Sequence, residues 1–345
     1  MKIISDYNVE QLNNILAEMG EPKFRAKQIF ASVHNGKTFS EMTDLKISLR
    51  ERLKSEYCDK PCQIIEELIS TDGTRKFLFK LYDGNIIEGV LMKYKYGYTQ
   101  CVSTQVGCRM GCAFCASTLG GLVRNLSAGE ILSQILEVNR HLGGSISKRE
   151  ITNVVLMGSG EPLDNYDNVI SFLKLISSPN GINVSPRNIS LSTCGIVPKM
   201  IELANENLPI NLTVSLHQPF DENRKKIMPI AKAYTIEQII SACKNYFAKT
   251  GRRVYFEYTL ISGENDSKEC ANKLIELLKG FPCHVNLIRL NEVKETGLKS
   301  TADKNAYSFL GLLEKGGLSA TVRRQMGVDI EGACGQLRRK FLGGN

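Results

Sequence analysis

The sequence predicts an α/β protein, a partial (β/α)6 barrel preceded by a small N-terminal α+β domain. From about residue 99 onward, strand-like apolar runs alternate with helical patterns, which is the order of a parallel sheet with outer helices. The first ninety residues differ, because short amphipathic helices there lead into a predicted hairpin. We therefore expect an accessory domain at residues 1–90 and a barrel domain at residues 91–345.

The accessory region contains predicted helices followed by one hairpin. Helical patterns cover Val9–Met19, Phe24–Val33 and Leu45–Tyr57. Alternating runs at Thr74–Leu81 and Asn85–Lys93 flank the dipeptide Asp83-Gly84, which is typical of a tight hairpin turn.

The barrel region alternates strands and helices. The predicted strands are Gln100–Thr104, Asn153–Met157, Asn188–Ser192, Asn211–Leu216, Val254–Leu260, Val285–Leu290 and Leu318–Val322. The predicted helices are Ala128–Leu142, Val169–Ser177, Pro198–Asn205, Ile236–Thr250, Cys270–Leu278 and Lys304–Lys315. About six such βα units favour an incomplete, TIM-like barrel, and a doubly wound open sheet is the alternative.

The composition is that of a globular protein, with 42% hydrophobic and 23% charged residues. No apolar run reaches the roughly 20 residues that span a bilayer, and the N-terminus has no signal-peptide core, so we expect a cytoplasmic protein with no membrane partner. Eleven cysteines in such a chain indicate metal or thiol chemistry rather than a secreted disulfide scaffold. The net charge of +8 suits a polyanionic partner without requiring one.

Three cysteines are grouped in Cys108-Arg-Met-Gly-Cys112-Ala-Phe-Cys115, directly after the first predicted barrel strand. Thiolates suit zinc or iron–sulfur, but a closed zinc site needs four ligands. Three cysteines on a [4Fe–4S] cluster leave one iron open to chelate S-adenosylmethionine (SAM). The alternative is that the three cysteines only mark one face of a buried helix. Gly111 disfavours a regular helix at this place. The spacing, with Phe114 before the last cysteine, resembles the radical-SAM superfamily signature.

Polar residues follow successive predicted strands, where barrels gather their chemistry. Glu161, in Gly158-Ser-Gly-Glu-Pro162, is suited to hold the SAM ammonium group. Ser192 and Ser215-Leu216-His217 end the next two strands, and Asn291 follows a later one. Each of them alone is more typical of a residue that only turns the chain, and His217 is equally consistent with a structural histidine.

Two further cysteines stand apart from the group. Cys101 lies on the first predicted barrel strand, and Cys334 lies in the small-residue loop Gly332-Ala-Cys-Gly-Gln336 beyond the last one. In a closing barrel both would point into one mouth, and the glycines favour a mobile, exposed Cys334. The alternative is two buried cysteines that act as small apolar residues.

Together these segments resemble the RlmN/Cfr family of radical-SAM RNA adenine methyltransferases over essentially the whole chain. The segments are Cys101-Val-Ser-Thr-Gln-Val-Gly-Cys108, Cys112-Ala-Phe-Cys115, Gly158-Ser-Gly-Glu-Pro162, Ser215-Leu-His217 and Ala333-Cys-Gly-Gln-Leu337. The resemblance implies a radical-SAM barrel with an accessory, RNA-binding N-terminal domain.

The resemblance also implies roles for individual residues. Cys108, Cys112 and Cys115 match the cluster ligands. The SAM-contacting positions are matched by Gly160, Glu161, Ser192, Ser215, Leu216, His217 and Asn291. Cys334 matches the cysteine that becomes S-methylated, Cys101 the one that forms a transient disulfide with it, and Glu88 the proton acceptor.

The activity implied is methylation of adenosine C2 in 23S rRNA (adenosine 2503) and in tRNA (adenosine 37), with two SAM molecules per turnover. The alternative is Cfr-type methylation at C8 of the same rRNA adenosine. Gly160-Glu-Pro-Leu-Asp-Asn-Tyr166 and Cys115-Ala-Ser-Thr-Leu-Gly-Gly121 are more similar to the C2 branch.

The expected partners are the RNAs and an electron donor such as flavodoxin or ferredoxin. We expect the enzyme itself to be a monomer. Basic residues available for RNA are Lys93, Lys95, Arg224-Lys-Lys226, Arg323-Arg324 and Arg338-Arg-Lys340, each of which is equally consistent with a solvated face. Two other classes stay open: a non-catalytic RNA-binding protein with structural zinc, and a radical-SAM enzyme for a small molecule or peptide. The latter leaves Cys101 and Cys334 without a role.

Overall fold

The computed structural model describes residues 1–337, and Arg338-Arg-Lys340, expected to contact RNA, lie outside the described residues. The strands are β1 (Lys2–Ile3), β2 (Tyr57–Cys58), β3 (Cys62–Ile69), β4 (Arg75–Leu81), β5 (Ile86–Tyr94), β6 (Gly97–Cys101), β7 (Gln105–Gly107), β8 (Leu122–Asn125), β9 (Ile151–Leu156), β10 (Ile189–Thr193), β11 (Asn211–Ser215), β12 (Val254–Leu260), β13 (Cys283–Arg289) and β14 (Ala320–Val322). The α-helices are α1 (Val9–Glu18), α2 (Phe24–His34), α3 (Ile47–Glu56), α4 (Ala128–His141), α5 (Tyr166–Ile176), α6 (Val197–Leu203), α7 (Asp221–Ile227), α8 (Ile236–Thr250), α9 (Lys268–Leu278) and α10 (Asp303–Lys315).

One ten-stranded sheet forms the centre of the protein, in the order β14-β13-β12-β11-β10-β9-β6-β5-β4-β3. The strands from β6 through β9 to β14 are parallel, whereas β3 to β6 pair antiparallel. Helices α4 to α10 connect the parallel strands. Because the order of the parallel strands never reverses, the sheet is not doubly wound, and the predicted α/β class with a partial barrel is confirmed.

The accessory and barrel regions share this sheet. β5 pairs with β4 on one side and with β6 on the other, and it runs through residue 90 without a break. The first barrel strand is Gly97–Cys101 rather than the predicted Gln100–Thr104, because its start forms a hairpin with β5. The sequence patterns also missed edge strand β3, the short β7–β8 ribbon and helix α7.

Two of the parallel strands show how polar side chains reach the inside of the barrel. In β10, Ile189 and Leu191 are fully buried, while Ser190 and Ser192 line cavities inside the barrel. In β12, the apolar face packs into the core and Glu257 points inward. Because successive side chains of a strand point to opposite faces, this alternation places polar groups among the apolar ones that line the barrel interior.

The first turns of several helices are fixed by their own side chains. Ser127 caps α4 and Thr235 caps α8, each in a reciprocal pair with the third residue of its helix, which satisfies backbone N–H groups that the helix leaves free. None of the helices within residues 1–337 is long and apolar enough to span a bilayer.

Candidate active site

A cavity of about 150 Å³ lies at the carboxyl ends of the parallel strands. The residues it brings together from the predicted set are Cys108, Cys112, Cys115, Gly160, Glu161, Ser192, Ser215, His217, Asn291 and Cys334. Leu216 is fully buried beside it in the apolar core. These residues thus meet in space although they come from six separate segments of the chain.

The loop that carries the three grouped cysteines is fixed on both sides. Before it, Gly107 takes a φ of +76°, and a Cβ there would lie 1.9 Å from the carbonyl oxygen of Gly121 in the facing ribbon. Nε of Arg109 donates to Oδ2 of Asp164 at 2.9 Å, which ties the loop to the segment after Glu161. The backbone nitrogen of Ala113 donates to the Ile227 carbonyl at 2.9 Å, at the end of α7.

Of the three grouped cysteines, Cys108 is buried and Cys112 and Cys115 are half-buried. Burial raises the pKa of Cys108 to about 12, and it also raises the pKa values of Cys112 and Cys115. A thiolate in such a place needs a neighbouring cation, and iron supplies one when the thiolate coordinates it. Three soft donors at the edge of a cavity fit a cluster that keeps one iron for another ligand.

Among residues 1–337, no three or more His, Cys, Asp or Glu side chains converge as around a single metal ion. A cubane cluster holds each thiolate on a different iron, so its ligands need not converge on one point.

Glu161 is a buried carboxylate held by backbone donors. Its Oε1 accepts from the Leu163 nitrogen at 3.0 Å and its Oε2 from the Cys194 nitrogen at 2.7 Å. Burial raises the pKa of this carboxyl, and the two backbone hydrogen bonds oppose the shift. Gly160, with a φ of +107°, has to be glycine because a Cβ would lie 2.6 Å from Cβ of Gln105.

His217 is neutral and fixed. Its Nδ1 accepts a hydrogen bond from the Thr259 nitrogen at 2.9 Å, so Nε2 carries the ring proton. Burial lowers the pKa of His217 to about 3. Its ring packs edge-to-face on Phe114 of the cysteine loop, with centroids 4.7 Å apart, so His217 joins β11 to that loop.

Cys334 lies against the cysteine loop as well as in the cavity. The Ala116 nitrogen donates to the Gly335 carbonyl at 2.8 Å, and the Ser117 hydroxyl donates to the Leu337 carbonyl at 2.6 Å. Nδ2 of Asn291 donates to the carbonyl of Cys334 itself at 3.0 Å. The Cys334 segment is therefore fixed against residues that follow Cys115.

Cys101 faces a second, adjoining cavity of about 40 Å³, which Cys334 also lines. Met157, Ile288, Asn291 and Arg323 line both cavities. Burial raises the pKa of Cys101 to about 12. The prediction that Cys101 and Cys334 share one mouth therefore agrees with their places in the fold.

Glu88 lies next to Cys101 on the same face of the sheet. Val90 pairs directly with Cys101 across β5 and β6, and Glu88 is two residues from Val90. The Glu88 carboxylate is 1% exposed and lies 3.2 Å from Nζ of Lys76. It is a buried ion-paired group rather than the strand-edge carboxylate its local sequence would indicate.

Comparison with known proteins supports these observations. Residues 102–274 match the radical SAM superfamily, and residues 4–58 match the ribosomal RNA large subunit methyltransferase N-terminal domain. A Clostridium perfringens protein, a probable dual-specificity RNA methyltransferase RlmN, is 52% identical over 345 residues, covering 99% of this chain and 98% of that protein. A protein of the same name from Alkaliphilus oremlandii is 54% identical over 97% of this chain and 96% of its own length.

The chain belongs to the RlmN family. A crystal structure of a radical SAM methyltransferase from Sphaerobacter thermophilus superposes with a TM-score of 0.94, at 40% identity, over 98% of this chain and 99% of that one. The protein is accordingly a radical-SAM RNA methyltransferase, and the predicted recognition and enzyme class are confirmed.

This RlmN-family chain also has functional candidates that sequence reasoning missed. Arg224, expected in a basic surface run, is fully buried and donates to the carbonyls of Cys194, Ser215 and Leu216. It thereby fixes the ends of β10 and β11. In the sequence, the one indication of a role in the site was that Arg224 follows soon after the strand that ends at Ser215.

Arg323 was likewise expected to contact RNA, and it lies instead where the two cavities meet. Its Nη1 is 3.8 Å from Oε2 of the inward-pointing Glu257. Lys93 and Lys95 adjoin the turn between β5 and β6, at the opposite end of β6 from the cysteine loop.

Proposed function

We propose that the protein methylates C2 of adenosine 2503 in 23S rRNA and of adenosine 37 in tRNA, with Cys334 as the methyl carrier. The observation that supports this most is the position of Cys334. It lines the cavity of the three grouped cysteines and also the adjoining cavity of Cys101. A thiol that has to meet a methyl donor on one side and a second thiol on the other needs such a place.

In this proposal Cys108, Cys112 and Cys115 hold a [4Fe–4S] cluster with one iron open to SAM. When bound, the cluster supplies the electron that cleaves SAM to a 5′-deoxyadenosyl radical. The SAM contacts are assigned to Gly160, Glu161, Ser192, Ser215, Leu216, His217 and Asn291. Glu161 offers the negative charge for the SAM ammonium group, and neutral His217 offers one ring N–H donor.

Cys334 takes part twice in each turnover. Its thiolate first attacks the methyl group of one SAM molecule, displaces S-adenosylhomocysteine and becomes S-methylcysteine. Hydrogen abstraction from that methyl group then gives a methylene radical, which adds to the electron-poor C2 of adenine. The addition leaves one unpaired electron on the ring, which would return to the cluster, and Glu88 accepts the C2 proton. The Cys101 thiolate then attacks the Cys334 sulfur to form a disulfide, and the electron pair of the broken S–CH2 bond takes up a proton as methyladenosine leaves.

The RNA has to present an unstacked adenine, since C2 is not accessible within a helix. Residues 1–90, which include the region similar to the methyltransferase N-terminal domain, would bind the RNA. Residues 91–345 would carry the chemistry. A flavodoxin or ferredoxin would donate the electron to a monomeric, cytoplasmic enzyme.

The test is anaerobic reconstitution of the protein with iron, sulfide and SAM, followed by incubation with rRNA fragments and tRNA. Mass spectrometry of the digested RNA should find 2-methyladenosine, and 8-methyladenosine in its place would establish the Cfr-type alternative. Cys334→Ala should remove S-methylcysteine and all activity, while Cys101→Ala should accumulate a covalent RNA adduct. Cys243→Ala, a buried core cysteine, is the control. Normal turnover by Cys101→Ala would contradict the mechanism.

A further inference from the structure

We propose that Lys76 is a positioning residue for Glu88 in proton removal from the RNA, an inference that rests on the proposed function. Nζ of Lys76 lies 3.2 Å from Oε1 of Glu88, and each side chain is 1% exposed. Buried lysines and glutamates are rare unless paired. Because neither charge faces the solvent, the pair does not serve to keep the protein soluble, and another role has to account for it.

The register of the sheet places Lys76 on the face that lines the Cys101 cavity. Lys76 pairs with Val90 across β4 and β5, and Val90 pairs with Cys101 across β5 and β6. Directly opposed residues share a face of the sheet, so the three form one row. Glu88 stands one step along the same face of β5. The ammonium and the carboxylate thus lie beside the thiol expected to resolve the adduct.

Lys76 also reaches the segment that carries the other cysteine. Its Nζ donates to the backbone carbonyl of Glu331 at 3.2 Å, three residues before Cys334. The same ammonium therefore makes an ion pair with Glu88 and a hydrogen bond to the Cys334 segment. One side chain thus links the Glu88 carboxylate to that segment.

That segment is held to the β3–β4 turn independently of Lys76. Ser70 Oγ and the Thr71 nitrogen donate to Asp329, and the Gly327 nitrogen donates to Asp72 Oδ2 at 3.0 Å. Removal of the Lys76 ammonium therefore leaves the Cys334 loop in place. It removes the charge partner of Glu88 and one hydrogen bond to the Glu331 carbonyl.

The chemistry asks for such a partner. A carboxylate that takes the C2 proton of the adenine has to face that proton within hydrogen-bond reach. The proton moves to Glu88 and the electron pair of the C–H bond restores the aromatic ring, while the unpaired electron left by the radical addition would return to the cluster. The ammonium sets the direction of the carboxylate, which decides whether the proton is within reach.

The experiment separates the two half-reactions in the reconstituted holoenzyme. Lys76→Met should still convert Cys334 to S-methylcysteine at the wild-type rate, measured by peptide mass spectrometry. Release of methyladenosine should slow by at least about tenfold, with accumulation of the covalent Cys334–RNA adduct on denaturing gels. Lys80→Met, an exposed lysine on the same strand, is the matched control and should behave as wild type.

A second comparison, with a double variant, tests whether Lys76 acts through Glu88. It remains informative if the single Lys76 variant folds poorly. Lys76→Met combined with Glu88→Gln removes both charges and leaves no unpaired buried ion. If Lys76 acts only through Glu88, the double variant releases product as slowly as Glu88→Gln alone. Release by Lys76→Met at the wild-type rate, or further slowing in the double variant, would overturn this inference alone. Wild-type protein that forms neither adduct nor methyladenosine would overturn the proposed function and this inference with it.

Discussion

The backbone nitrogen of Cys194 donates a hydrogen bond to Oε2 of Glu161 at 2.7 Å. This bond joins the loop after β9 to the end of β10, while Oε1 of the same carboxylate closes its own loop on Leu163. A single buried carboxylate thus joins the ends of two neighbouring strands. Glutamine in its place removes the negative charge and keeps one acceptor oxygen, so it can still accept one of the two backbone hydrogen bonds.

We expect Glu161→Gln to weaken SAM binding by roughly tenfold or more, since a charge-assisted hydrogen bond contributes about 1.5–3 kcal/mol. The dissociation constant for SAM in the reconstituted protein measures this. Glu202→Gln, at an exposed position of helix α6, should leave the constant unchanged. Equal SAM affinity in Glu161→Gln and wild type would contradict an ammonium contact at this carboxylate.

Arg224→Met should lower the free energy of unfolding by about 3 kcal/mol, because the buried carbonyls of Cys194, Ser215 and Leu216 lose their donor. Urea unfolding at neutral pH measures the change. Lys226→Met, in the same helix but exposed, should change stability by less than about 0.5 kcal/mol. Similar effects of the two substitutions would show that the hydrogen bonds of Arg224 to the three carbonyls do not stabilise the fold.

Gly107→Ala should prevent correct placement of the cysteine loop. Both Gly107 and Gly121 have a positive φ, so alanine at either costs about 1–2 kcal/mol in backbone strain. Only at Gly107 does the new Cβ meet a backbone oxygen, whereas at Gly121 nothing lies within 4 Å. We expect reconstitution of Gly107→Ala to yield far less bound iron than Gly121→Ala. Equal iron content would contradict the steric argument.

The free energy of unfolding should decrease as the pH is lowered, and His34 should account for part of this decrease. Burial lowers the pKa of His34 from 6.5 to about 3, and its Nδ1 accepts a hydrogen bond from the Ile182 nitrogen at 3.2 Å. Because the folded pKa lies below the unfolded one, this contribution is complete above pH 6.5 and is lost as the pH falls towards 3.

The loss from His34 amounts to about 2 kcal/mol between pH 8 and pH 5. His34→Asn keeps an acceptor oxygen but does not titrate, so its urea midpoint should depend less on pH over this interval. The same pH dependence in both proteins would assign the effect to other groups.

Much of the fold was accessible from local patterns. Strands such as Val254–Leu260 were predicted correctly because the run is apolar and bounded by turn residues, and Ile236–Thr250 because its apolar residues recur at helical spacing. Edge strand β3 was missed because its exposed isoleucines and glutamates do not alternate cleanly. Helix α7 was missed because its basic residues resembled a solvated run, although Arg224 points inward.

Some features of the site could likewise be predicted from local sequence patterns, and others could not. The grouped cysteines and the family could be identified without coordinates, because ligand spacing within one loop and long shared motifs are properties of the chain. The pairing of Lys76 with Glu88, the burial of Arg224 and the position of Arg323 beside the cavities became known from the folded protein alone. Burial and pairing depend on which strands become neighbours, and the β4–β5–β6 register that aligns Lys76, Val90 and Cys101 is set by packing across the whole sheet.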